Sequence, residues 1–180
     1  MTTMPSPDLN DVRIVPATAE ALRAEEDGGY ALARALGVAA PEQWPPEFGG
    51  PSYARALLGQ MAQWDDMARF GGWYIIAGGR LVGFCGFKGP PDTSGLVEIG
   101  YSVAAPYQRR GYAKAAVALL LAEAFSDPRV AAVVATTLPE RTASVRVLER
   151  CGFELESTSE KVLKFMKRRP RPAQQSSERP

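Results

Sequence analysis

The chain has 180 residues, 46% of them hydrophobic, with 21 basic and 20 acidic residues, two cysteines and no histidine. That length and apolar content suit one ordinary domain whose core needs neither disulfide nor metal. The missing histidine excludes a Ser-His-Asp triad, a Cys-His pair and any histidine-containing zinc site, and two cysteines are too few for a Cys-only site, so no metal is expected.

Residues 1–10 are polar and proline-rich, without the apolar stretch of a signal peptide, and read as a flexible N-terminus of a cytoplasmic protein. The domain proper is expected over 11–167. Val12–Val15 predicts a first strand. Thr18 is placed to cap a helix running to about Glu26, stopped by Asp27-Gly28-Gly29. Tyr30–Leu36 predicts a short second helix closed by Gly37. Ala40–Gly50 reads as an irregular loop, because its prolines remove backbone donors. Ser52–Phe70 returns to helical spacing, with Tyr53, Leu57, Met61 and Trp64 near one face.

After Gly71-Gly72 the pattern changes to strands. Trp73–Ile76 and Leu81–Phe87 flank a Gly78-Gly79 hairpin turn, and Leu96–Val103 follows a Gly/Pro-rich loop. Trp64 and Trp73 fall in regular elements and read as core. Gly111–Phe125 predicts the longest helix, ended by Asp127-Pro128, and Val130–Thr137 a buried strand. Thr142–Arg150 predicts a last helix stopped by Gly152, and Phe153–Thr158 and Lys161–Lys167 two paired strands. The fold class is α/β or α+β, a single domain on a mixed sheet. Residues 168–180 read as a disordered basic tail. The last fourteen residues hold five basic groups and one acid, leaving 16 basic against 19 acidic residues before them. A body of that sign offers no electrostatic case for nucleic acid, and no apolar run is long enough to span a membrane.

Glu98–Lys114 carries the chemistry: a strand, a short turn, then the start of an Ala/Leu-rich helix. A helix start exposes about four unpaired N–H donors and roughly half a positive charge. Gly111 permits close approach to the backbone, Ala113 keeps the next contact small, and Arg109, Arg110 and Lys114 add cations. Neither a G-x-x-x-x-G-K-[ST] phosphate loop nor a complete G-x-G-x-x-G occurs. From these residues alone, a phosphate site and an ordinary loop-to-helix junction both remain open.

Gln108-Arg-Arg-Gly-Tyr-Ala113 resembles the Q/R-x-x-G-x-G/A motif of the GNAT superfamily of N-acetyltransferases. Ser144-Val-Arg-Val-Leu-Glu-Arg-Cys-Gly-Phe153 is similar to a second segment of that family, S-x-x-[VL]-L-E-K-x-G-F. The likeness runs from about Trp73 to Phe165 and is nearest to the branch typified by ribosomal-protein N-terminal acetyltransferases. It implies a mostly antiparallel, twisted sheet flanked by helices, and acetyl-CoA as acyl donor. It implies that Gln108, Arg109, Arg110, Gly111, Tyr112, Ala113 and Lys114 cradle the pyrophosphate. Tyr101, Ser102 and Val103 would hold the pantetheine arm as an added strand, with the Val103 N–H facing the thioester carbonyl, where negative charge develops.

Three positions depart from the family pattern. Lys114 stands where Thr or Ser is common, Arg141 where an Asn precedes the motif serine, and Leu148 where many members carry the Tyr that protonates the leaving sulfur. Ser144 is therefore the candidate partner of the sulfur, with a plain helix-start role as the competing reading. Glu98, within an apolar strand, is the candidate base, since burial would suit it to accept a proton; a structural or solvent-facing Glu98 is the alternative. Strand alternation puts Glu98, Gly100 and Ser102 on one face and Val103 on the other, unless a bulge changes the parity. Trp44, in the irregular loop, is a candidate wall of the acceptor cleft, and Lys88 a candidate contact for a substrate anion or else a solvated lysine. The activity expected is direct acyl transfer to a primary amine of a small molecule or peptide N-terminus, without an acyl-cysteine. A homodimer is compatible with it. The alternative, favoured by Arg141 and Leu148, is a non-catalytic acyl-CoA-binding module.

Overall fold

The computed structural model describes residues 9–61 and 66–170. Strand β1 (Val12–Pro16) opens the sheet, and Thr18 then caps α1 (Ala19–Glu26) by accepting the Ala21 N–H at 3.2 Å. Helix α2 (Gly29–Ala35) ends before Gly37, whose φ of 65° only glycine adopts at little cost. Helix α3 (Pro51–Met61) is followed by a separate turn, α4 (Met67–Phe70), so the single helix expected over 52–70 is not formed. The Asp66 carboxylate, which could have capped α4, is drawn instead to Arg129 at 2.7 Å. Trp64 lies outside the described residues. Trp73 packs against the core as a partly buried ring.

Strands β2 (Gly72–Ala77), β3 (Arg80–Phe87), β4 (Leu96–Val103), β5 (Ala132–Thr137), β6 (Glu154–Thr158) and β7 (Leu163–Arg168) complete one sheet in the order β1-β2-β3-β4-β5-β7-β6. Every pairing is antiparallel except β4 with β5, which are joined by the crossover helix α5 (Tyr112–Ser126). Parallel neighbours need such a connection, and the apolar run of α5 supplies it. Helix α6 (Thr142–Arg150) links β5 to β6.

The central strands are apolar on both faces, so both must be covered. Under α5 and α6 lies one core, built from Ile75, Val97, Ile99, Val103, Leu120, Leu148 and their neighbours. Against α1, α2 and α3 lies a second, built from Leu22, Leu32, Leu57, Tyr74, Ile76 and Phe84. The chain past β7 is held as well. Arg168 closes β7, and the Arg169 guanidinium donates to the carbonyls of Phe125, Asp127 and Val130. Arg168 and Arg169, expected within a disordered tail, are thus held, because a cation finds orphan carbonyls at the end of α5. Among the described residues no helix is long and apolar enough to cross a membrane.

Candidate active site

The parallel pair β4 and β5 stays in register only from Leu96↔Ala132 to Ile99↔Ala135. Beyond it β4 remains on β3 to Val103 and β5 remains on β7 to Thr137. The two strands thus part, and a cavity of about 1100 Å3 opens between and around them. That exceeds the ~300–1,000 Å3 typical of a pocket for one drug-sized ligand.

The ladder with β3 has no register shift over Ile99–Val103, so alternation is intact. The bonds Lys88 N–H to Glu98 carbonyl (2.8 Å) and Ala104 N–H to Val82 carbonyl (2.9 Å) set the even-numbered residues on β3. Tyr101 and Val103 therefore turn their backbone N–H and C=O toward the gap. The Val103 carbonyl takes the Gln108 side-chain amide at 2.9 Å. Side chains follow the same parity. Ile99 and Val103 enter the core under α5, and Glu98, Gly100 and Ser102 take the opposite face, beside Phe84 and Lys88. A Cβ on Gly100 would meet no atom within 4 Å, so the strand is bare where it faces the cavity.

The gap leads to the start of α5. Gly111 occupies its N-cap with φ 86°, and Arg109 also has positive φ, 61°. A non-glycine residue in that region is uncommon and strained, a cost met where a loop must aim its amides. Among the described residues, none of the N–H groups from Arg109 to Lys114 has a hydrogen-bond acceptor. Arg109 and Lys114 line the cavity and carry no salt bridge among the described residues. Two further cations, Arg146 and Arg150, line it from one face of α6. These two were missed in the sequence, although arginines four apart on a predicted helix mark one face. Arg110 is half-buried and does not line the cavity. Gln108, Gly111, Tyr112, Ala113, Lys114, Tyr101, Ser102 and Val103 all do.

Helix α6 brings Ser144 to the gap. Its Oγ lies 2.9 Å from the Tyr101 hydroxyl, which also reaches the Ser144 carbonyl at 3.3 Å. Burial pushes the Tyr101 phenol up to about 12, with the Ser144 bond pulling the other way. Leu148 is fully buried in the core under α6. Cys151 is half-buried, its thiol raised by burial and turned toward the Lys114 carbonyl at 3.7 Å.

Glu98 differs from the buried carboxylate expected. Its side chain is 33% exposed and already engaged, with Lys88 at 2.5 Å and the Thr136 hydroxyl at 2.8 Å. Lys88 and Thr136 line the cavity, whereas Glu98 itself does not. Lys88, the candidate contact for a substrate anion, is paired with Glu98. Trp44 does not line the cavity, because its indole N–H is bound by Glu25 at 3.0 Å. The loop's contribution comes instead from Glu47 and Phe48. Arg141, which caps α6 without a side-chain bond, reaches across the mouth and forks onto Glu47, one arm at 2.7 Å, with its guanidinium 5.8 Å from the Phe48 ring. That fork holds Glu47 below the ordinary carboxylate range and Arg141 above its own. The pair is exposed, so solvent screens it.

Glu25 sets where this loop lies. It is 1% exposed and accepts from Trp44 Nε1 (3.0 Å), the Gly50 N–H (2.7 Å) and the Tyr74 hydroxyl (2.7 Å). Burial and the neighbouring carboxylate push the Tyr74 phenol far above its usual value. Among the described residues no group of three or more Cys, Asp or Glu could hold a metal ion.

A family model for the Acetyltransferase (GNAT) domain matches residues 22–154 of the chain. The uncharacterized N-acetyltransferase YjdG of Bacillus subtilis (strain 168) is 27% identical over 156 residues, covering 84% of this chain and 91% of that one. Among solved structures, Mycobacterium smegmatis RimJ in complex with CoA-disulfide superposes with a TM-score of 0.63 at 22% identity, over 87% of this chain and 81% of that one. The microcin C7 self-immunity acetyltransferase MccE, in complex with acetyl-CoA and AMP, gives 0.61 at 18% identity, over 92% and 97%.

Proposed function

The chain belongs to the GNAT acetyltransferase family, an N-acetyltransferase by its relatives, and on that footing we propose direct transfer of acetyl from acetyl-CoA to a primary amine seated against Gly100. The observation that carries this reading is the gap between β4 and β5, which runs from bare strand to unpaired amides at the start of α5. The residues fit the cofactor. Gly111 presents no side chain, the N–H groups from Arg109 to Lys114 await an acceptor, and Arg109, Lys114, Arg146 and Arg150 suit phosphate charge. Tyr101 and Val103 offer strand-type bonds to an extended amide arm. Acetyl-CoA supplies the activated acyl group as a thioester.

The protein's own groups divide the remaining work. The Val103 N–H stabilises charge developing on the carbonyl oxygen. The paired hydroxyls of Tyr101 and Ser144 hydrogen-bond the departing sulfur, in place of the tyrosine that Leu148 replaces. A thiol pKa near ~8.5 makes thiolate a fair leaving group without a strong acid. Glu98, oriented by Lys88 and Thr136, accepts the amine's proton through water. Nitrogen bonds to the carbonyl carbon, the carbon–sulfur bond breaks, and one amine proton ends on the thiol. When the amine enters as ammonium, a second proton goes to solvent.

Calorimetry with acetyl-CoA followed by thiol release over an amine panel tests this reading, and absence of acetyl-CoA binding refutes it. Glu98→Gln is expected to lower turnover about tenfold or more, to flatten the rise of rate with pH, and to leave acetyl-CoA affinity unchanged. A wild-type pH–rate profile in that variant removes Glu98 as base.

A further inference from the structure

The face of the sheet that carries Gly100 is roofed by aromatic surface that the fold itself does not cover. Phe48 is 48% exposed and Tyr53 is 39% exposed, and both line the cavity. Tyr53 stands edge-on to Phe84, centroids 5.3 Å apart at 76°, and Phe84 sits opposite Ser102 on the same face as Gly100. Val162, 38% exposed in the turn between β6 and β7, lines the cavity from the far side. Three exposed apolar side chains converging on one concavity form a slot for an apolar group, unlike singly scattered surface residues.

The cations at this end are already paired with acids. Lys88 is bound by Glu98, and Arg141 by Glu47. Glu140, which also lines the cavity, makes no salt bridge among the described residues and lies in the field of Arg141. A substrate carboxylate finds no unpaired cation here. Of the cations lining the cavity, those without a salt-bridge partner among the described residues are Arg109, Lys114, Arg146 and Arg150, from α5 and α6 and the turn before α5.

We infer that the acceptor is a primary amine carrying an apolar, ring-sized group and no carboxylate beside the nitrogen. This rests on the acetyltransferase reading above and names its substrate class. The ring lies between Phe48, Tyr53 and Phe84, and the nitrogen reaches over Gly100 toward Val103. Glu98 and Lys88 stay paired.

Thiol release is measured with phenethylamine, phenylalaninamide, phenylalanine and spermidine, and acetyl-CoA affinity by calorimetry on the same samples. The two aromatic amines without a carboxylate are expected to exceed phenylalanine and spermidine by about tenfold or more in kcat/KM. Phe48→Ala and Tyr53→Ala are expected to raise KM for phenethylamine about fivefold or more, with acetyl-CoA affinity and thermal stability near wild type. Calorimetric titration of phenethylamine into the CoA-bound protein is expected to show the same weakening without turnover. Spermidine or phenylalanine preferred, no turnover of either aromatic amine, or unchanged KM in both variants overturns the inference while acetyl-CoA binding stands. Loss of acetyl-CoA binding in the wild type overturns the acetyltransferase reading as well.

Discussion

Glu25 lies far from the reacting atoms, yet it decides where the acceptor loop sits. Its carboxylate holds three donors from two segments, the loop and β2, with only 1% of the residue exposed. Glu25→Ala leaves the Trp44 indole, the Gly50 amide and the Tyr74 hydroxyl without an acceptor. Each unsatisfied buried donor costs about 1–3 kcal/mol, and the costs overlap within one network, so a loss of roughly 4 kcal/mol is expected. For a domain of this size, each kcal/mol lowers Tm by about 2–4 °C, giving a fall of roughly 8–16 °C. Glu25→Gln keeps one carbonyl oxygen but turns an NH2 toward a donor, and is expected to lose about half as much. Freed from Gly50 and Trp44, the loop bearing Glu47 and Phe48 no longer holds its place. KM for the amine therefore rises in Glu25→Gln while acetyl-CoA affinity stays within about twofold, since Arg109–Lys114 belong to another segment. Thermal melts and calorimetry on the same sample measure both. A Glu25→Ala variant within about 2 °C of wild type, or amine KM unchanged in Glu25→Gln, refutes the argument.

Gly111→Ala forces a non-glycine residue to φ 86° and sets its Cβ 3.2 Å from Leu9. The strain of about 1–2 kcal/mol shifts the amides beside it, and CoA affinity by calorimetry is expected to fall about tenfold or more, with the amine KM little changed. Asp127 is held at about 2 from an ordinary 3.8, first by the side-chain bond from Arg129 and then by the Arg129 amide. Its folded value lies below its unfolded one, so its stabilisation is full above about pH 4 and is lost as pH falls toward 2. Asp127→Asn is expected to flatten that part of the acid-melting profile, and a profile parallel to wild type would count against the role given to the Arg129 bonds.

The order of strands and helices was legible because period-two and helical patterns here are separated by glycine and proline. Leu96–Val103 and Tyr112–Ser126 needed nothing beyond local spacing. The parity of β4 was readable in principle but waited on the absence of a bulge, which is a property of its pairing with β3. The engagement of Glu98 was hidden because Lys88 and Thr136 meet it only across the sheet. Trp44 looked like a cleft wall because it sits in an irregular loop. Its indole is claimed by a carboxylate 19 residues earlier, a bond no local pattern announces. Arg141 read as the loss of a cap, whereas its guanidinium spans to Glu47, 94 residues away. The interruption before α4 was masked because Ser52–Phe70 keeps helical spacing on both sides of it.

The short pairing of β4 with β5 has a mechanical consequence. The strands β1–β4 form one leaf, and β5, β7 and β6 form another, with a ladder of four residue pairs as the spine between them. Within the sheet the leaves are stitched by backbone bonds along Leu96–Ile99, by the Gly95 carbonyl taking the Ala131 and Ala132 N–H groups, and by the Thr136–Glu98 bond, while the Glu47–Arg141 pair latches the cover at the open edge. Amides beside this seam are the ones whose hydrogen exchange a ligand wedged between the leaves would slow most, since it would rivet two halves that the chain alone joins so lightly.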